Sequence, residues 1–450
     1  MTYTDLDTTD ETGVVKLGDI QRIHFIGIGG IGMSALARFF LHEKKEVSGS
    51  DRAPSAITDA LVTEGVTFFP TQVGPNISND IELIVYTEAM SKDQEEMVAA
   101  ALLGVPMMNY FEALGLVANE YYLIAVAGAH GKTTTTAMLT DILEEASYDP
   151  TAIIGSLRSK TGSNFRAGKS KYAVVEACEY KRDFLHLKPD VLVITNVEYE
   201  HVDYYRDLAD VQDAFRTLAL SVPYDGFIIA DTSDKNIAPV LAGVEAEVVD
   251  YRSRLDLTLA LHQPGLHNRM NAAAATAAAR SIGIDAEICK SALENFAGTW
   301  RRFEYKGTFM TDDRGAIPVF DDYAHHPTEI AATIAGVRDQ YPNRHLTVVF
   351  QSHTYTRTHE LFVDFVTALA KADTVYLLPI YAAREENISG VTSEQLAAAL
   401  KKKKVKVEVF ETHGGAAERV KETVPQGGIV VVMGAGDVTH VARLLTTAAI

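Results

Sequence analysis

Short apolar runs alternate with longer stretches of helical periodicity along most of this chain. The first run, at residues 22–26, leads into a glycine-rich turn, a helical stretch and a second apolar run. This order predicts a strand, a turn, a helix and another strand. Further strands are expected at 81–87 and 105–109. Because strands that alternate with helices form parallel sheets, the pattern predicts an α/β domain of Rossmann-like type over residues 1–120.

The same alternation continues through two further units, which are predicted to cover residues 121–300 and 301–450. The central unit opens with a buried-looking apolar run at 121–128. Both units are expected to be α/β domains with parallel sheets, the C-terminal one of Rossmann-like type, and the length of 450 residues fits three domains of ordinary size. Their remaining strands are expected at 171–177, 190–196, 225–231, 317–322, 345–351, 374–380, 406–410 and 428–434.

Composition and charge argue against several classes of function, including membrane-spanning and nucleic-acid-binding proteins. A hydrophobic content of 47% and a charged content of 22% are typical of globular proteins of the cytoplasm. No apolar run reaches the ~20 residues of a membrane span, and the acidic first twenty residues do not resemble a secretory signal. A net charge of −19 argues against nucleic acid and anionic membranes as partners. Two cysteines, Cys178 and Cys289, cannot form a disulfide framework.

Residues 27–32, called here the first glycine loop, lie between the first strand and the first helix. Gly27, Gly29 and Gly32 form the pattern G-x-G-x-x-G, and Asp51 follows the next strand. Backbone N–H groups in such a turn can hold a diphosphate at the N-terminus of a helix. The diphosphate could belong to a nicotinamide dinucleotide or to another nucleotide, and a purely structural turn is the plain alternative.

Residues 128–131, the second glycine loop, occur in the stretch VAGAHGKTTTT. The standard phosphate-binding pattern G-x-x-x-x-G-K-[ST] would place a glycine at Val126, so this loop is shorter. Its strand–loop–helix context still allows a ring of N–H groups around a phosphate chain. Lys132 would neutralise β- and γ-phosphate charge, and Thr133 would offer a hydroxyl to Mg²⁺. The loop predicts a central domain of P-loop ATPase type, against the alternative of a chance Gly-Lys-Thr.

Three oxygen or nitrogen ligands follow predicted strands of the central unit. Thr133, Glu176 and His201 each lie just beyond such a strand, where parallel sheets bind ligands. Hydroxyl and carboxylate oxygens suit Mg²⁺, with histidine a less usual third ligand. The alternative for His201 is a packed or surface histidine. Cys178 is expected to be a small buried residue and not a nucleophile, since no cationic partner is evident.

The third unit gathers basic and acidic side chains near its predicted strand ends. Arginines there could pair with a carboxylate or phosphate, while the adjacent histidines match no usual zinc spacing. The lysine run at 401–404 is expected to be a solvated helix end, because it leads directly into a strand. The gathered residues are Arg301, Arg302, Asp322, His325, His326, His353 and Arg357.

The ordered set of motifs resembles the Mur ligases, from about residue 20 to the C-terminus. The matching stretches are GIGGIGM, GAHGKTTT, EACE, TNVEYEHVD, HNRMN, RRFE, DDYAHHPTE and TRT. The resemblance implies three α/β domains and a first glycine loop that holds the diphosphate of a UDP-sugar. It also implies an ATP-dependent ligase that joins L-alanine to the lactoyl carboxylate of UDP-N-acetylmuramate, with ATP and Mg²⁺, as a monomer or weak homodimer.

The resemblance further implies a role for each matched residue. Catalytic roles fall on Lys132, Glu176, His201, Arg302 and Asp322. ATP would be bound by Gly128, Ala129, His130, Gly131, Lys132, Thr133, Thr134, Asn268, Asn271 and Arg302. The UDP-sugar would be bound by Gly27, Gly29, Gly30, Gly32 and Asp51. The amino acid would be bound by His353 and Arg357. The metal would be bound by Thr133, Glu176 and His201.

The chain departs from the family pattern at several positions. Thr354 stands where some relatives carry a second arginine, which weakens the expectation of L-alanine. The other departures are Ser352, the stretch YTEAM, Gln72, and Gln212 in place of a modified lysine. The rival functions are a ligase that adds another amino acid or a recycled tripeptide, a nicotinamide-dependent oxidoreductase, and a regulator that only binds nucleotide.

Overall fold

The computed structural model describes residues 17–311, 315–383 and 385–446. Most of the acidic N-terminal stretch therefore lies outside the described residues. The chain divides into two compact units. The first contains the described residues up to Glu200 together with Asp207–Leu255 and Ala272–Leu293. The second contains His201–Arg206, Asp256–Asn271 and the described residues from Glu294 onward.

The first sheet has the strand order β3-β2-β1-β4-β5, and all its strand pairs are parallel. This is the Rossmann order, with β1 at the point where the order reverses. Its strands are β1 (Arg22–Ile26), β2 (Glu46–Ser50), β3 (Thr67–Phe69), β4 (Leu83–Tyr86) and β5 (Met107–Asn109). Its helices are α1 (Ile31–His42), α2 (Ala56–Glu64), α3 (Glu95–Leu103) and α4 (Tyr110–Ala118).

The second sheet has the order β12-β11-β10-β6-β9-β7-β8 and belongs to the same compact unit. Only β7 and β8 pair antiparallel among the described strands of this sheet. Its strands are β6 (Tyr122–Ala127), β7 (Thr151–Arg158), β8 (Ser163–Arg166), β9 (Tyr172–Glu176), β10 (Val191–Ile194), β11 (Phe227–Ala230) and β12 (Glu247–Asp250). The helices that follow along the chain are α5 (Lys132–Glu145), α6 (Leu208–Ala219), α7 (Leu266–Ser281) and α8 (Ala286–Glu294).

The third sheet lies in the second unit, with the order β13-β14-β18-β15-β16-β17. β13 pairs antiparallel with β14, and the other pairs are parallel. Its strands are β13 (Glu304–Thr311), β14 (Gly315–Asp322), β15 (Leu346–Phe350), β16 (Thr374–Leu377), β17 (Lys406–Val409) and β18 (Ile429–Met433). Its helices are α9 (Pro327–Gln340), α10 (Tyr355–Glu360), α11 (Phe362–Leu369), α12 (Ser393–Lys402), α13 (His413–Thr423) and α14 (Thr439–Thr446).

Three sheets of mainly parallel strands confirm the predicted three-domain α/β class, while the exact boundaries at 120 and 300 remain predictions. The predicted strands are all present, shortened by a residue or more at most of their ends. The sequence pattern did not indicate β3, β7, β8, β12 or β13, because polar residues or glycines interrupt their apolar runs. The exposed lysines at 401–404 do end α12 just before β17, as expected.

The strands carry the apolar core, with helices packed against them. Every residue of β10, β15, β16 and β18 is buried, as expected for strands covered on both faces. Short 3₁₀ helices occur at Gly74–Asn76, Tyr180–His186 and Tyr251–Arg254. Within the described part of the chain, none of the helices combines the length and apolar character needed to cross a bilayer.

Candidate active site

The second glycine loop leaves the sheet at its point of strand reversal. β6 lies between β10 and β9, so the carboxyl ends of these three strands meet beside the loop. Val126 is buried inside β6 and pairs with Val193 of β10, so it belongs to the strand and not to the loop. The shortened loop therefore begins where the strand ends and leads directly into α5.

Glycine is required at both ends of this loop. Gly128 has φ 138° and Gly131 has φ 85°, in the region that favours glycine. A Cβ on Gly128 would lie 2.0 Å from Thr195 Oγ1. The loop backbone is thus pressed against the residues that follow β10.

Two side chains from the end of β10 fix the middle of the loop. The His130 N–H donates to Asn196 Oδ1 at 2.9 Å. The His130 carbonyl accepts from Thr195 Oγ1 at 2.6 Å and from Asn196 Nδ2 at 2.9 Å. Tyr251 in turn donates its hydroxyl to the Thr195 carbonyl at 2.6 Å. The loop conformation is therefore set by hydrogen bonds from outside the loop.

Lys132, the first residue of α5, folds its side chain back into the loop. Its Nζ donates to the Gly128 carbonyl at 2.5 Å and lies 2.9 Å from a Glu179 carboxylate oxygen. Burial lowers the pKa of the Lys132 ammonium, but neighbouring acidic groups, with Glu179 first among them, raise it by more. The net effect places the pKa above that of an ordinary lysine, so the loop holds a permanent cation.

Thr133 and Glu176 are brought together, as predicted for two metal ligands. Thr133 Oγ1 donates to Glu176 Oε1 at 3.0 Å, and the Gly155 N–H donates to Glu176 Oε2 at 2.9 Å. A Cβ on Gly155 would lie 2.4 Å from the Glu176 carboxylate, so that position needs glycine. A hydroxyl beside a carboxylate supplies the hard oxygens that suit Mg²⁺.

His201, the third predicted metal ligand, belongs to the second compact unit. It has a positive φ of 53°, which is uncommon for a residue other than glycine. Its carbonyl accepts from the Tyr204 and Tyr205 N–H groups at 2.8 and 2.9 Å. Its part in binding a metal stays a prediction.

The run of threonines after Lys132 forms the first turns of α5. All four side chains are buried, and Thr136 Oγ1 donates to the Lys132 carbonyl at 2.9 Å. Thr140 repeats the contact with the Thr136 carbonyl at 2.7 Å. Such bonds to the preceding turn satisfy hydroxyls that would otherwise be buried unpaired.

Both cysteines lie within the described residues and are free. Cys178 is partly exposed instead of fully buried as expected, because it follows β9 at the rim of the site. Burial, followed by the Glu179 charge, raises the pKa of the Cys178 thiol to about 12. The thiol is therefore protonated at neutral pH, which fits the prediction that it is no nucleophile.

The first glycine loop follows β1 at the reversal point of the first sheet. Its Gly27 and Ile28 N–H groups donate to the Ser50 carbonyl at 2.9 and 3.0 Å. The Gly29 N–H donates to Asp51 Oδ2 at 2.8 Å. Gly30 precedes α1 as its N-cap residue. Asp51 is thus already bonded to the loop backbone, a contact that the sequence pattern did not predict.

Tyr110 packs against the other end of this loop. A Cβ on Gly32 would lie 2.7 Å from the Tyr110 ring. Burial, with Glu176 and Cys178 contributing next, raises the pKa of the Tyr110 phenol above its ordinary value. The phenol is therefore neutral, and it lies near enough to Glu176 for the negative charge of that carboxylate to disfavour its ionisation.

In the second unit, Asp322 is a buried carboxylate held by three donors. It accepts from the Ala324 N–H at 2.8 Å, the Phe303 N–H at 3.2 Å and Thr333 Oγ1 at 3.2 Å. Burial raises the pKa of Asp322 to about 6, although the Ala324 N–H and the Arg302 charge both favour the ionised form.

Arg302 and Asp322 are neighbours, whereas Arg301 serves the fold. The Arg302 guanidinium lies 5.1 Å from the Tyr323 ring centroid and 3.9 Å from Glu329. Arg301 is buried, with an ion pair to Asp321 at 3.2 Å. The gathered arginines therefore separate into a structural one and a candidate ligand-binding one.

His353 and Arg357 lie at the start of α10. The His353 ring stacks on Tyr381, with centroids 5.5 Å apart. Burial, with the Arg357 charge second, lowers the pKa of His353 to about 4. Thr354 has φ 65° and accepts the Arg357 N–H at 3.4 Å as the N-cap. At this departure from the family pattern, the threonine side chain is occupied with capping the helix.

The remaining predicted residues have polar partners close in sequence. Asn271 Nδ2 donates to Asn268 Oδ1 at 3.4 Å, and Asn268 Nδ2 donates to the Pro264 carbonyl at 2.8 Å. In the first unit, Gln212 Nε2 donates to the Asn236 carbonyl at 2.9 Å. Gln212 thus fixes a neighbouring segment, a role that needs no charge.

Comparison with known proteins identifies the family. The model of the Mur ligase family catalytic domain matches residues 22–122, that of the middle domain residues 126–254, and that of the glutamate ligase domain residues 301–436. The UDP-N-acetylmuramate–L-alanine ligase of Clostridium tetani is 38% identical over 446 residues, 93% of this chain and 96% of that protein. The enzyme of the same name from Lachnospira eligens is 40% identical over 454 residues, covering 94% and 97%.

The chain belongs to the Mur ligase family.

Solved structures agree with this membership. The UDP-N-acetylmuramate-alanine ligase of Thermotoga maritima matches with a TM-score of 0.78 and 27% identity, covering 94% of this Mur ligase and 97% of that chain. A murein peptide ligase from Psychrobacter arcticus matches with a TM-score of 0.70 and 24% identity over 96% and 100%, which supports the fold alone. The resemblance inferred from the motifs is confirmed at the level of the family and fold.

Sequence reasoning on this Mur ligase missed several residues that shape the loops. Thr195 and Asn196 stand at the carboxyl end of a predicted strand, so their position was a usable signal. Glu179 ends the EACE stretch but was given no role, and its ion pair with Lys132 appears only in three dimensions. Tyr110 and Tyr251 carried no signal, because both approach the loops from distant points in the sequence.

Proposed function

We propose that this chain is an ATP-dependent ligase that joins L-alanine to the lactoyl carboxylate of UDP-N-acetylmuramate in peptidoglycan precursor synthesis. The observation that carries the proposal is the second glycine loop, with Lys132 inside it and the Thr133–Glu176 pair beside it. The relatives that bear this enzyme name share 38–40% of their residues with nearly the whole chain. The reaction would take place in the cytoplasm.

The proposed reaction has two steps, and atoms balance in each. The lactoyl carboxylate attacks the γ-phosphorus of ATP, which releases ADP and forms an acyl phosphate. The neutral amine of L-alanine then attacks the acyl carbon, and the tetrahedral intermediate releases phosphate, which leaves with the amine proton, to give the amide. Phosphoryl transfer requires positioning and charge neutralisation more than an enzyme nucleophile, which fits a protonated Cys178 thiol.

The chain's own groups would hold the nucleotide. The Lys132 ammonium would exchange its carbonyl partners for β- and γ-phosphate oxygens. Arg302 would bind the nucleotide, and Asp322 would position the segment that carries Arg302. Backbone N–H groups and polar side chains would complete the site, from Gly128, Ala129, His130, Gly131, Thr134, Asn268 and Asn271.

Thr133 and Glu176, with His201 as a third ligand, would hold Mg²⁺. The hydroxyl–carboxylate pair at 3.0 Å fits this choice of donors. When bound, Mg²⁺ neutralises charge on the transferring phosphoryl group. The Gly155 N–H would keep the Glu176 carboxylate oriented throughout.

The two other substrates would bind to separate groups of residues. Gly27, Gly29, Gly30 and Gly32 would form the loop that receives the UDP diphosphate at the start of α1, and Asp51 would hold that loop in place. His353 and Arg357 would meet L-alanine, with the guanidinium on its carboxylate. Because the pKa of His353 is about 4, its ring would be a neutral contact at physiological pH.

The decisive experiment measures phosphate release from ATP with UDP-N-acetylmuramate and each amino acid in turn. We expect release with L-alanine and much less with glycine or L-serine. Faster release with an L-alanine-containing tripeptide would favour the recycling ligase. Phosphate release in the absence of UDP-sugar would contradict the proposal. So would the absence of phosphate release with every amino acid and peptide tested. A monomer or weak homodimer is expected in sedimentation.

A second experiment tests the amino-acid end of the site through Arg357. Arg357→Ala should raise the KM for L-alanine ten- to a hundredfold, as expected for a charge-assisted bond of ~1.5–3 kcal/mol. The KM values for ATP and the UDP-sugar should stay nearly unchanged. Arg357→Lys should recover only part of the affinity for L-alanine, because the planar guanidinium with its paired N–H donors is lost.

Arg344→Ala is the matched control, because Arg344 lies in the same unit against the Tyr341 ring. If Arg357→Ala raises the KM for ATP and leaves the KM for L-alanine unchanged, the arginine faces the nucleotide and the assignment is wrong.

A further inference from the structure

Three side chains with metal-binding atoms meet at the starts of α13 and α14. They are His413, Asp437 and His440, and one ligand atom from each lies within 4.8 Å of the other two. His413 Nε2 is 3.2 Å from Asp437 Oδ1. The two imidazole rings are 5.6 Å apart between centroids, edge to face at 78°. All three residues belong to the second compact unit, and none has a part in the proposed reaction.

The backbone around this cluster is well defined. His413 is the first residue of α13, which Thr412 caps by accepting the Gly415 N–H at 3.1 Å. Asp437 lies in the turn between β18 and α14, and its carbonyl accepts the His440 N–H at 3.0 Å. The ligands therefore come from two helix starts and one turn.

The cluster has room to adjust and access to solvent. The His413 side chain is 28% exposed and the Asp437 side chain 44% exposed. A tetrahedral ion with bonds of about 2.1 Å needs ligand atoms about 3.4 Å apart. The His413–Asp437 distance already meets that spacing. The exposed His440 would approach by rotating about its side-chain bonds.

We propose that His413, Asp437 and His440 bind a first-row transition-metal cation such as Zn²⁺. Two imidazoles and one carboxylate form the ligand set of many zinc sites, with water completing the coordination. The carboxylate supplies the negative charge that a cation needs here, because the positive ends of two helix dipoles oppose it. Hard Mg²⁺ would not prefer this nitrogen-rich set, so the site differs in kind from Thr133 and Glu176.

A cation at this site would brace the turn that supports the His353 side of the third sheet. The Gly436 carbonyl accepts from Arg301 Nη1 at 3.1 Å, and the Val438 N–H donates to Gln351 Oε1 at 3.1 Å. A Cβ on Gly436 would lie 2.8 Å from the Tyr381 ring, which stacks on His353. These contacts hold the inner side of the turn, and the cluster joins its outer side to the start of α13.

Calorimetric titration of the full, tag-free chain with Zn²⁺ tests the proposal. Excess Mg²⁺ is present so that the proposed magnesium site does not take up zinc. His413→Gln, Asp437→Asn and His440→Gln should each weaken one zinc site at least about tenfold. His42→Gln, an exposed histidine at the end of α1, is the matched control and should bind zinc like the wild type.

Electron paramagnetic resonance with one equivalent of Cu²⁺ as the probe identifies the ligands directly. The wild type should show coupling to two imidazole nitrogens, and His413→Gln and His440→Gln to one each. Zinc titrations that are the same in all three variants as in the wild type would overturn the proposal. Copper spectra that the two histidine substitutions leave unchanged would also overturn it, and the histidine–aspartate contact would then be an ordinary hydrogen bond.

Discussion

The two glycine loops follow the same path from a central strand into a helix, but they differ in charge and support. The first glycine loop contains no basic residue, and backbone and carboxylate oxygens at the end of β2 hold it in place. The second glycine loop is followed directly by Lys132, whose side chain folds back into it, and side chains from the end of β10 hold the loop. Both lie where the strand order of their sheet reverses.

The difference separates phosphate binding from phosphate chemistry. N–H groups at a helix start are sufficient to hold a diphosphate whose charge does not change during the reaction. A phosphoryl group in transfer also needs a cation that neutralises charge in the transition state. The contrast therefore predicts that the first loop only binds its ligand, while the second also contributes to the chemical step.

The largest expected effect comes from removing the cation of the second loop. Lys132→Ala should lower kcat/KM for ATP-dependent phosphate release at least a hundredfold, or about 2.7 kcal/mol of transition-state stabilisation. Binding of the UDP-sugar, measured by calorimetry, should change little because the first loop is untouched.

Two variants control this measurement. Lys188→Ala removes an exposed lysine elsewhere in the same unit and should be neutral. Lys132→Ala combined with Glu179→Gln also removes the buried charge that Lys132 neutralises, so it separates lost chemistry from lost stability. A loss below about tenfold in both Lys132 variants would count against the loop's assigned role.

The second prediction adds one methyl group to each loop. Gly128→Ala brings a Cβ to 2.0 Å from Thr195 Oγ1 at a φ of 138°, so it should weaken ATP binding and cost ~1–3 kcal/mol in stability. Gly32→Ala brings a Cβ to 2.7 Å from the Tyr110 ring and should weaken binding of the UDP-sugar instead. Each change should spare the other ligand in calorimetry.

Removing the clashing atom sharpens this test. Gly128→Ala with Thr195→Ala should recover part of the stability, because the contact is relieved while the backbone strain remains. If Gly32→Ala lowered the affinity for ATP as strongly as the affinity for the UDP-sugar, the two loops would not be independent.

The contrast between the loops also shows what the sequence could and could not predict. Gly27, Gly29 and Gly32, together with Gly128, Gly131 and Lys132, stand in local patterns, so their loops were predictable from spacing. The strands β7 and β8 were missed because Gly155 and the polar stretch at 163–166 break the apolar alternation. Gly155 is there because the Glu176 carboxylate leaves no room for a Cβ, a contact between residues 21 positions apart.

Residues that act through long-range contacts were the least predictable. Lys132 was assigned from its motif, but its partner Glu179 lies 47 positions away. Asp51 was matched to the UDP side by the resemblance to the family, yet its contact is with the Gly29 N–H. The motif gives the type of residue, while the hydrogen-bond partner depends on which strand ends the sheet brings together.

The third prediction concerns the carboxylate that supports the first loop. Asp51 accepts the Gly29 N–H at 2.8 Å and the Arg52 N–H at 2.7 Å, and an amide can keep only one of these bonds. Asp51→Asn should raise the KM for the UDP-sugar about three- to tenfold, consistent with ~0.5–1.5 kcal/mol per hydrogen bond, and leave the KM for ATP unchanged. Calorimetry with NAD should show no binding to either protein, and micromolar NAD affinity without UDP-sugar affinity would reverse the assignment.

The smallest effect is expected from the outer support of the second loop. The Tyr251 hydroxyl donates to the Thr195 carbonyl at 2.6 Å, and Thr195 in turn holds His130. Tyr251→Phe keeps the ring and removes one hydrogen bond, so thermal unfolding should show a loss of ~0.5–1.5 kcal/mol. The first loop is supported in part by the Ser50 carbonyl, which substitution leaves in place, and in part by the Asp51 carboxylate.

The same variant tests whether Tyr251 acts on structure or on chemistry. Burial, with Asp231 next, raises the pKa of the Tyr251 phenol above its ordinary value of about 10. The phenol is therefore neutral both folded and unfolded below about pH 9, so the stability loss should not vary with pH from about 6 to 9. The KM for ATP should rise no more than about twofold, because Asn196 still holds His130 at both its N–H and its carbonyl. A tenfold fall in kcat at unchanged stability would mean that Tyr251 takes part in phosphoryl transfer. The residues that support the second loop would then also contribute to its chemistry.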